Sequence, residues 1–153
     1  MIFVTNSKEF SIKLCKYFKM YKKLRIGSEI SNLRIVEKAI DEVSAEIGVK
    51  EDFYGKILVS TIEAVNNAIV HGNKADIKKF VKIEFLYRKK ELYISVEDEG
   101  PGFKPKEIPD PTRPENIENL SGRGVFLMSK LADSIKFNEK GNKVTMAFKD
   151  IKT

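Results

Sequence analysis

Glu63 and Asn67 lie four residues apart in the stretch Leu58 to Asn73, LVSTIEAVNNAIVHGN, and that spacing could organise chemistry. On a helix, residues i and i+4 stand one above the other. A carboxylate and a carboxamide would then project in the same direction, with Asn66 and Val70 beside them and His71 one turn further on. Such a pair suits a site in which one group accepts a proton and the other holds a hydrated cation. The same pair also fits an ordinary solvated helix face. Leu58, Thr61, Ile62, Val65, Ala68 and Ile69 form one broad apolar arc at about 100° per residue, so Glu63 and Asn67 are expected on the side turned from the core. Gly72 fits the left-handed position that ends a helix.

Two glycine motifs add to this pair. Asp98-Glu99-Gly100-Pro101-Gly102-Phe103 follows an apolar run that reads as a strand. An aspartate just past a strand end can accept a hydrogen bond from an exocyclic amine such as that of adenine, and glycines beside it let backbone approach a base or ribose. Further on, Gly122-Arg123-Gly124 precedes VFLMSKLAD, which reads as a helix. A glycine pair at a helix N-terminus offers unpaired N–H groups and the positive end of the dipole to phosphates. Taken singly, a DxGxG is often a calcium loop or a turn, and a GxG is often only a turn.

The elements that must position these residues follow from pattern. Phe10, Leu14, Tyr17, Phe18 and Tyr21 recur at helical spacing among lysines, which predicts a short basic helix in an N-terminal extension, residues 1–21. Lys22 to Gly27 reads as a strand. Ser28 is the expected N-cap of a helix whose apolar stripe, Ile30, Leu33, Val36, Ile40, Val43 and Ile47, ends near Gly48. A second helix spans about Glu51 to His71. Phe80 to Tyr87 and Glu91 to Glu97 predict a hairpin. All five prolines fall between Pro101 and Pro114, so that segment is expected as a loop over a site, a lid from Gly100 to Ser121. Ser134 to Phe137 and Lys143 to Phe148 predict a last hairpin, with Gly141 and Asn142 suited to positive φ in its turn. Hairpins beside three helices argue an α+β fold, a two-layer sandwich of a mixed, mostly antiparallel sheet with helices on one face.

Composition bounds the function. The 153 residues, 42% hydrophobic and 33% charged, suffice for one domain with a real core. One cysteine, Cys15, excludes an internal disulfide and suits a reducing cytoplasm. No apolar run reaches the roughly 20 residues of a membrane span, and the start lacks the features of a signal peptide. The net charge of +6 is uneven: Lys8 to Arg25 holds seven basic residues, and Lys74 to Lys90 another seven. An acidic partner fits this, be it protein, nucleotide or nucleic acid. Direct nucleic-acid binding is not expected, since basic helix faces are commonly just solvated.

In order and context, EAVNNAIVHGN, VEDEGPGF and SGRGVFLMSKLAD resemble the N, G1 and G2 boxes of the GHKL ATP-binding superfamily. The short chain ending in a hairpin is similar to its anti-sigma regulatory factors, which are serine/threonine protein kinases. The resemblance covers roughly Leu24 to Phe148 and implies a Bergerat-type ATP-binding fold, with residues 22–153 as the kinase domain. It also implies that ATP and Mg²⁺ are the cofactors, and that Glu63 is the general base for an incoming seryl hydroxyl. Asn67 would coordinate Mg²⁺, and Asp98 would bind the adenine amine. Gly100 and Gly102 would shape the adenine pocket, and Gly122 and Gly124 would give N–H groups to phosphates. Asn66, Phe103, Arg123 and Val125 complete the nucleotide-binding set, Arg123 being equally suited to a plain surface charge. The implied partners are a sigma factor and an antagonist protein that accepts the phosphoryl group, and the implied assembly is a homodimer. The sequence departs from the family's sporulation and stress-response kinases at one point. Leu120 and Ser121 precede Gly122 where those carry an arginine, so contact with the terminal phosphate would fall to Arg123 or Arg113. An ATP-switched protein-binding regulator without phosphoryl transfer therefore remains the alternative to an enzyme.

Overall fold

The computed structural model describes residues 19–103 and 120–153, with side chains in the second span from residue 124 onward. The chain runs β1 (Met20–Gly27), a 3₁₀ turn (Ile30–Asn32), α1 (Leu33–Ile47), and α2 (Glu51–Asn67), which tightens into a π-helical turn (Ala68–Gly72). Next come β2 (Phe80–Arg88), β3 (Glu91–Glu97), α3 (Leu120–Leu131), β4 (Ser134–Phe137) and β5 (Lys143–Lys149). Residues 104–119 of the expected lid and most of the expected N-terminal helix lie outside the described residues, while the last two lid residues, Leu120 and Ser121, belong to α3. Met20 and Tyr21 belong to β1, which begins two residues before the expected strand.

The strands form one sheet in the order β1-β2-β3-β5-β4. The α+β sandwich expected from the hairpins is present, and every pairing in the sheet is antiparallel. Period-two alternation decides which face is buried. Val81, Ile83 and Phe85 of β2, Leu92, Ile94 and Val96 of β3, and Val144, Met146 and Phe148 of β5 are all buried. The helices cover them with Val36, Ile40, Val43 and Ile47 from α1, Ile57, Ala64 and Val65 from α2, and Met128 from α3. Each fully buried side chain of this size contributes about 1.5–3 kcal/mol, so this one cluster fixes the positions of the helices on the sheet.

Several boundaries differ from expectation for reasons of hydrogen bonding. Gly48 does end α1, with φ of 78° and its N–H on Ser44 O at 3.0 Å. Ser28 does not cap α1. Its hydroxyl is buried and donates to Lys79 O at 2.8 Å, tying the end of β1 to the residue before β2. Gly72 lies within the π-helical turn, and the left-handed residues come after it, at Lys74 and Ala75 with φ of 53° each. In the last hairpin Gly141 has φ of 77° as expected. Asn142 has no positive φ and serves through its side chain, as described below.

Candidate nucleotide-binding site

Glu63 and Asn67 occupy the last two turns of α2, and both are half-buried. They do not face open solvent, because α3 crosses over them at its start. A Cβ on Gly124 would lie 2.7 Å from Asn67 Nδ2 and 3.2 Å from Glu63 Oε2. With any other residue there, the tips of those two side chains would have to give way. The GxG motif and the Glu-Asn pair thus meet at one place, although Asn67 and Gly124 are 57 positions apart in sequence.

α3 begins at Leu120, earlier than the sequence suggests. Gly122 therefore lies among the first four residues, whose N–H groups have no acceptor within the helix, and Gly124 lies just past them. The use of Gly124 is space for Asn67 and Glu63, and the free backbone donors belong to the residues before it. Val125 is partly buried against the hydrophobic core. Asn66 is half-buried beside Asn67, and His71 is exposed on the π-helical turn. The Arg123 side chain lies outside the described residues.

The second corner of the site forms around Asp98. The residue follows β3 directly, and its backbone is held on both sides by the last hairpin: Asp98 N–H donates to Asn142 O at 2.9 Å, and Asn142 Nδ2 donates to Asp98 O at 2.8 Å. Its carboxylate Oδ1 accepts the Gly100 N–H at 2.8 Å. The side chain packs against the end of the α2 π-turn, where a Cβ on Gly72 would lie 2.3 Å from Asp98 Cγ. Gly100 in turn approaches Gly72 O. Gly102, with φ of 76°, is pressed against Lys140 O. Phe103 is 41% exposed and meets Phe137 edge to face at 5.1 Å. Burial raises the Asp98 pKa above the ordinary carboxylate value, opposed by the Gly100 N–H and the Lys140 charge.

Sequence reasoning missed Gly72, Asn73 and Asn142 as parts of this corner. The helix pattern gave Gly72 a reason to exist as a stop, which hid its steric one. A cavity of about 370 Å³ on the other side of Asp98, lined by Lys23, Arg25, Phe80, Lys82, Glu97, Asp98 and Glu99, balances three basic against three acidic groups and includes neither Glu63 nor Asn67. It does not fit a polyphosphate.

A helix-borne carboxylate and carboxamide, a buried-edge aspartate and a helix start rich in glycine belong together in one class of protein. Residues 26–148 match the model of the histidine kinase-like ATPase domain, and the chain belongs to that family. Within it, the chain is similar to an anti-sigma F factor of Clostridium perfringens, 37% identical over 95 residues that cover 59% of this chain and 68% of the relative. It is also similar to the serine-protein kinase RsbW of Bacillus licheniformis, 29% identical over 109 residues, or 67% of this chain and 68% of that one. A crystal structure of the RsbU and RsbW domains of a Mycobacterium tuberculosis protein shares the fold, with a TM-score of 0.57 and 20% identity over 83% of this chain. This chain spans 31% of that larger one. No described helix is long and apolar enough to cross a membrane.

Proposed function

We propose that the chain is an anti-sigma factor with ATP-dependent serine/threonine kinase activity toward an antagonist protein, and that it sequesters a sigma factor. The observation that carries this reading is the seating of Gly124 on Glu63 and Asn67. It supports a single site in which a base, a cation ligand and helix-terminal N–H groups act together. A family of ATPase domains and two relatives, one named an anti-sigma F factor and the other a serine-protein kinase, support it from the other side.

Glu63 takes the proton from the incoming seryl or threonyl hydroxyl as its oxygen attacks the γ-phosphorus. The bond to the bridging oxygen of ADP breaks, and ADP leaves with that electron pair. Little covalent work falls to the protein in such a transfer, and positioning carries most of the rate. Asn67, under the start of α3, would offer Mg²⁺ a neutral oxygen. When bound, Mg²⁺ neutralises the charge that develops on the phosphate oxygens. Asp98 accepts the adenine amine, Gly100, Gly102 and Phe103 line the base, and Asn66, Gly122, Arg123 and Val125 complete the nucleotide contacts, while Gly124 makes room for Glu63 and Asn67. The protein works as a homodimer in the cytoplasm.

The test is incubation of the purified chain with Mg²⁺, ATP and candidate antagonist proteins, with phosphoserine located by mass spectrometry and nucleotide binding measured in parallel. Transfer to a seryl or threonyl hydroxyl is the expected result. Tight binding of ATP and of a partner with no transfer to any antagonist would replace the kinase with an ATP-switched binding protein, the reading that Leu120 and Ser121 before Gly122 favour.

A further inference from the structure

Asn73 is fully buried, carries no charge, and holds the Asp98 corner from behind without facing the nucleotide groups assigned above. Its carboxamide nonetheless makes three hydrogen bonds. Oδ1 accepts the Glu99 N–H at 2.8 Å. Nδ2 donates to Ser28 Oγ at 2.8 Å and to Phe80 O at 3.0 Å, which uses both of its hydrogens. Ser28, itself buried, passes the connection on to Lys79 O. One side chain therefore joins the exit of β1, the entry of β2 and the loop after β3.

The Glu99 N–H belongs to the peptide that follows Asp98. The carbonyl of that same peptide accepts Asn142 Nδ2, and the Asp98 N–H donates to Asn142 O. With Glu99 N–H fixed by Asn73, both ends of the peptide after Asp98 are held, and the backbone of Asp98 has no freedom to swing. The carboxylate is fixed in turn, Oδ1 by the Gly100 N–H and the whole group by the Gly72 surface. Among the described residues Oδ2 has no donor.

We propose that Asn73 is a positioning residue for nucleotide recognition, whose buried carboxamide orients the peptide after Asp98 and so aims the free carboxylate oxygen at the amino group of the base. The inference rests on the reading of Asp98 as the adenine contact. It gives Asn73 an effect that a merely structural residue lacks, because a loosened Asp98 loses preference between bases, whereas a weakened fold lowers affinity for every nucleotide alike.

The experiment measures Kd for ATP and for purine riboside triphosphate, which lacks the 6-amino group, and compares their ratio across variants by calorimetry. Wild type should prefer ATP by about ten-fold or more, the usual worth of one buried hydrogen bond to a charged acceptor. Asp98→Ala should bring the ratio near one, and Asn73→Ala should do most of the same. A collapsed ratio in Asp98→Ala with an intact ratio in folded Asn73→Ala overturns the role of Asn73 alone. An unchanged ratio in Asp98→Ala overturns the adenine contact and the inference with it. Should Asn73→Ala not fold, Ser28→Ala decides, since it removes one of the two acceptors that hold the Asn73 amide: a lowered ratio supports the positioning role, and an unchanged one overturns it.

Discussion

Gly72 faces the carboxylate of Asp98 so closely that a methyl group on it would lie 2.3 Å from Cγ and 2.4 Å from Oδ2. The contact joins the end of the Glu63-Asn67 helix to the strand-end aspartate, and so links the two corners of the site through a pair of residues 26 apart in sequence. Neither can shift alone. Asp98 is tied to Asn142 and Gly100, and Gly72 is tied to the helix that carries Asn67.

That contact makes Gly72→Ala a probe of the site. Overpacking of this kind costs about 1–3 kcal/mol, and here the displaced group is the proposed adenine acceptor, so ATP affinity should fall by about ten-fold or more. The destabilisation should nearly vanish when Asp98 is also replaced by Ala, because the clash partner is gone. A double-mutant cycle in urea measures this. If the two substitutions add to within about 0.5 kcal/mol, the contact is not the source of the effect.

The raised pKa of Asp98 yields a prediction with the opposite sign for stability and for binding. Burial is the main cause of the rise. A group with its folded pKa above its unfolded one favours the native state while protonated, and that contribution is lost as pH rises through the folded pKa. At neutral pH the ionised Asp98 therefore costs the free protein stability. Asp98→Asn, which keeps an oxygen for the Gly100 N–H, should melt higher than wild type at pH 7, and the gap should close as pH falls and wild-type Asp98 takes up its proton. ATP affinity should fall roughly five- to a hundred-fold, since an amide N–H would then face the amino group of the base. A variant less stable than wild type at pH 7 would contradict this account of the site.

Much of the architecture was legible because it is periodic. The alternation in Phe80 to Tyr87 and the stripe from Val36 to Ile47 each specify one buried face, and burial decides both elements. The pairing of Glu63 with Asn67 was legible for the same reason, since helical spacing aligns them, whereas the two glycine motifs joined that pair only through their order along the chain and the family resemblance. What spacing does not carry is contact across the chain. Gly124 of α3 over Glu63 and Asn67, Gly72 against Asp98 and the Asn73 carboxamide on Glu99 N–H depend on how α2, α3 and the strand ends meet, which no single stretch encodes. Ser28 illustrates the same limit: a serine before an apolar stripe has the pattern of a cap, and a buried acceptor at Lys79 took its hydroxyl instead.

Gly124→Ala separates the fold from the site. Within a helix Ala is favoured over Gly by about 0.8–1 kcal/mol, which offsets part of the crowding against Asn67 and Glu63, so the melting temperature should change little. The groups that must give way are the tips of those two side chains. Affinity for ATP with Mg²⁺ should fall by about ten-fold, in line with a displaced ligand. Calorimetry with and without Mg²⁺ checks this, and an affinity equal to wild type in both would mean that α3 does not meet α2 at the nucleotide.

Glu63 and Asn67 share a face of α2 and lie under the same glycine, yet their proposed tasks come at different moments of the reaction. Asn67 would hold a cation for as long as the nucleotide is bound. Glu63 would act only when a hydroxyl attacks. Glu63→Gln keeps the shape and removes the base, and general-base contributions are typically 10²–10⁴-fold, so transfer should fall by about that much while ATP affinity changes little. Asn67→Ala should lose nucleotide affinity and transfer together. The measurement is single-turnover phosphorylation of the antagonist protein at saturating ATP, with binding followed in parallel. A Glu63→Gln protein that binds ATP weakly and transfers at the wild-type rate once saturated would reassign Glu63 from the chemical step to the nucleotide site.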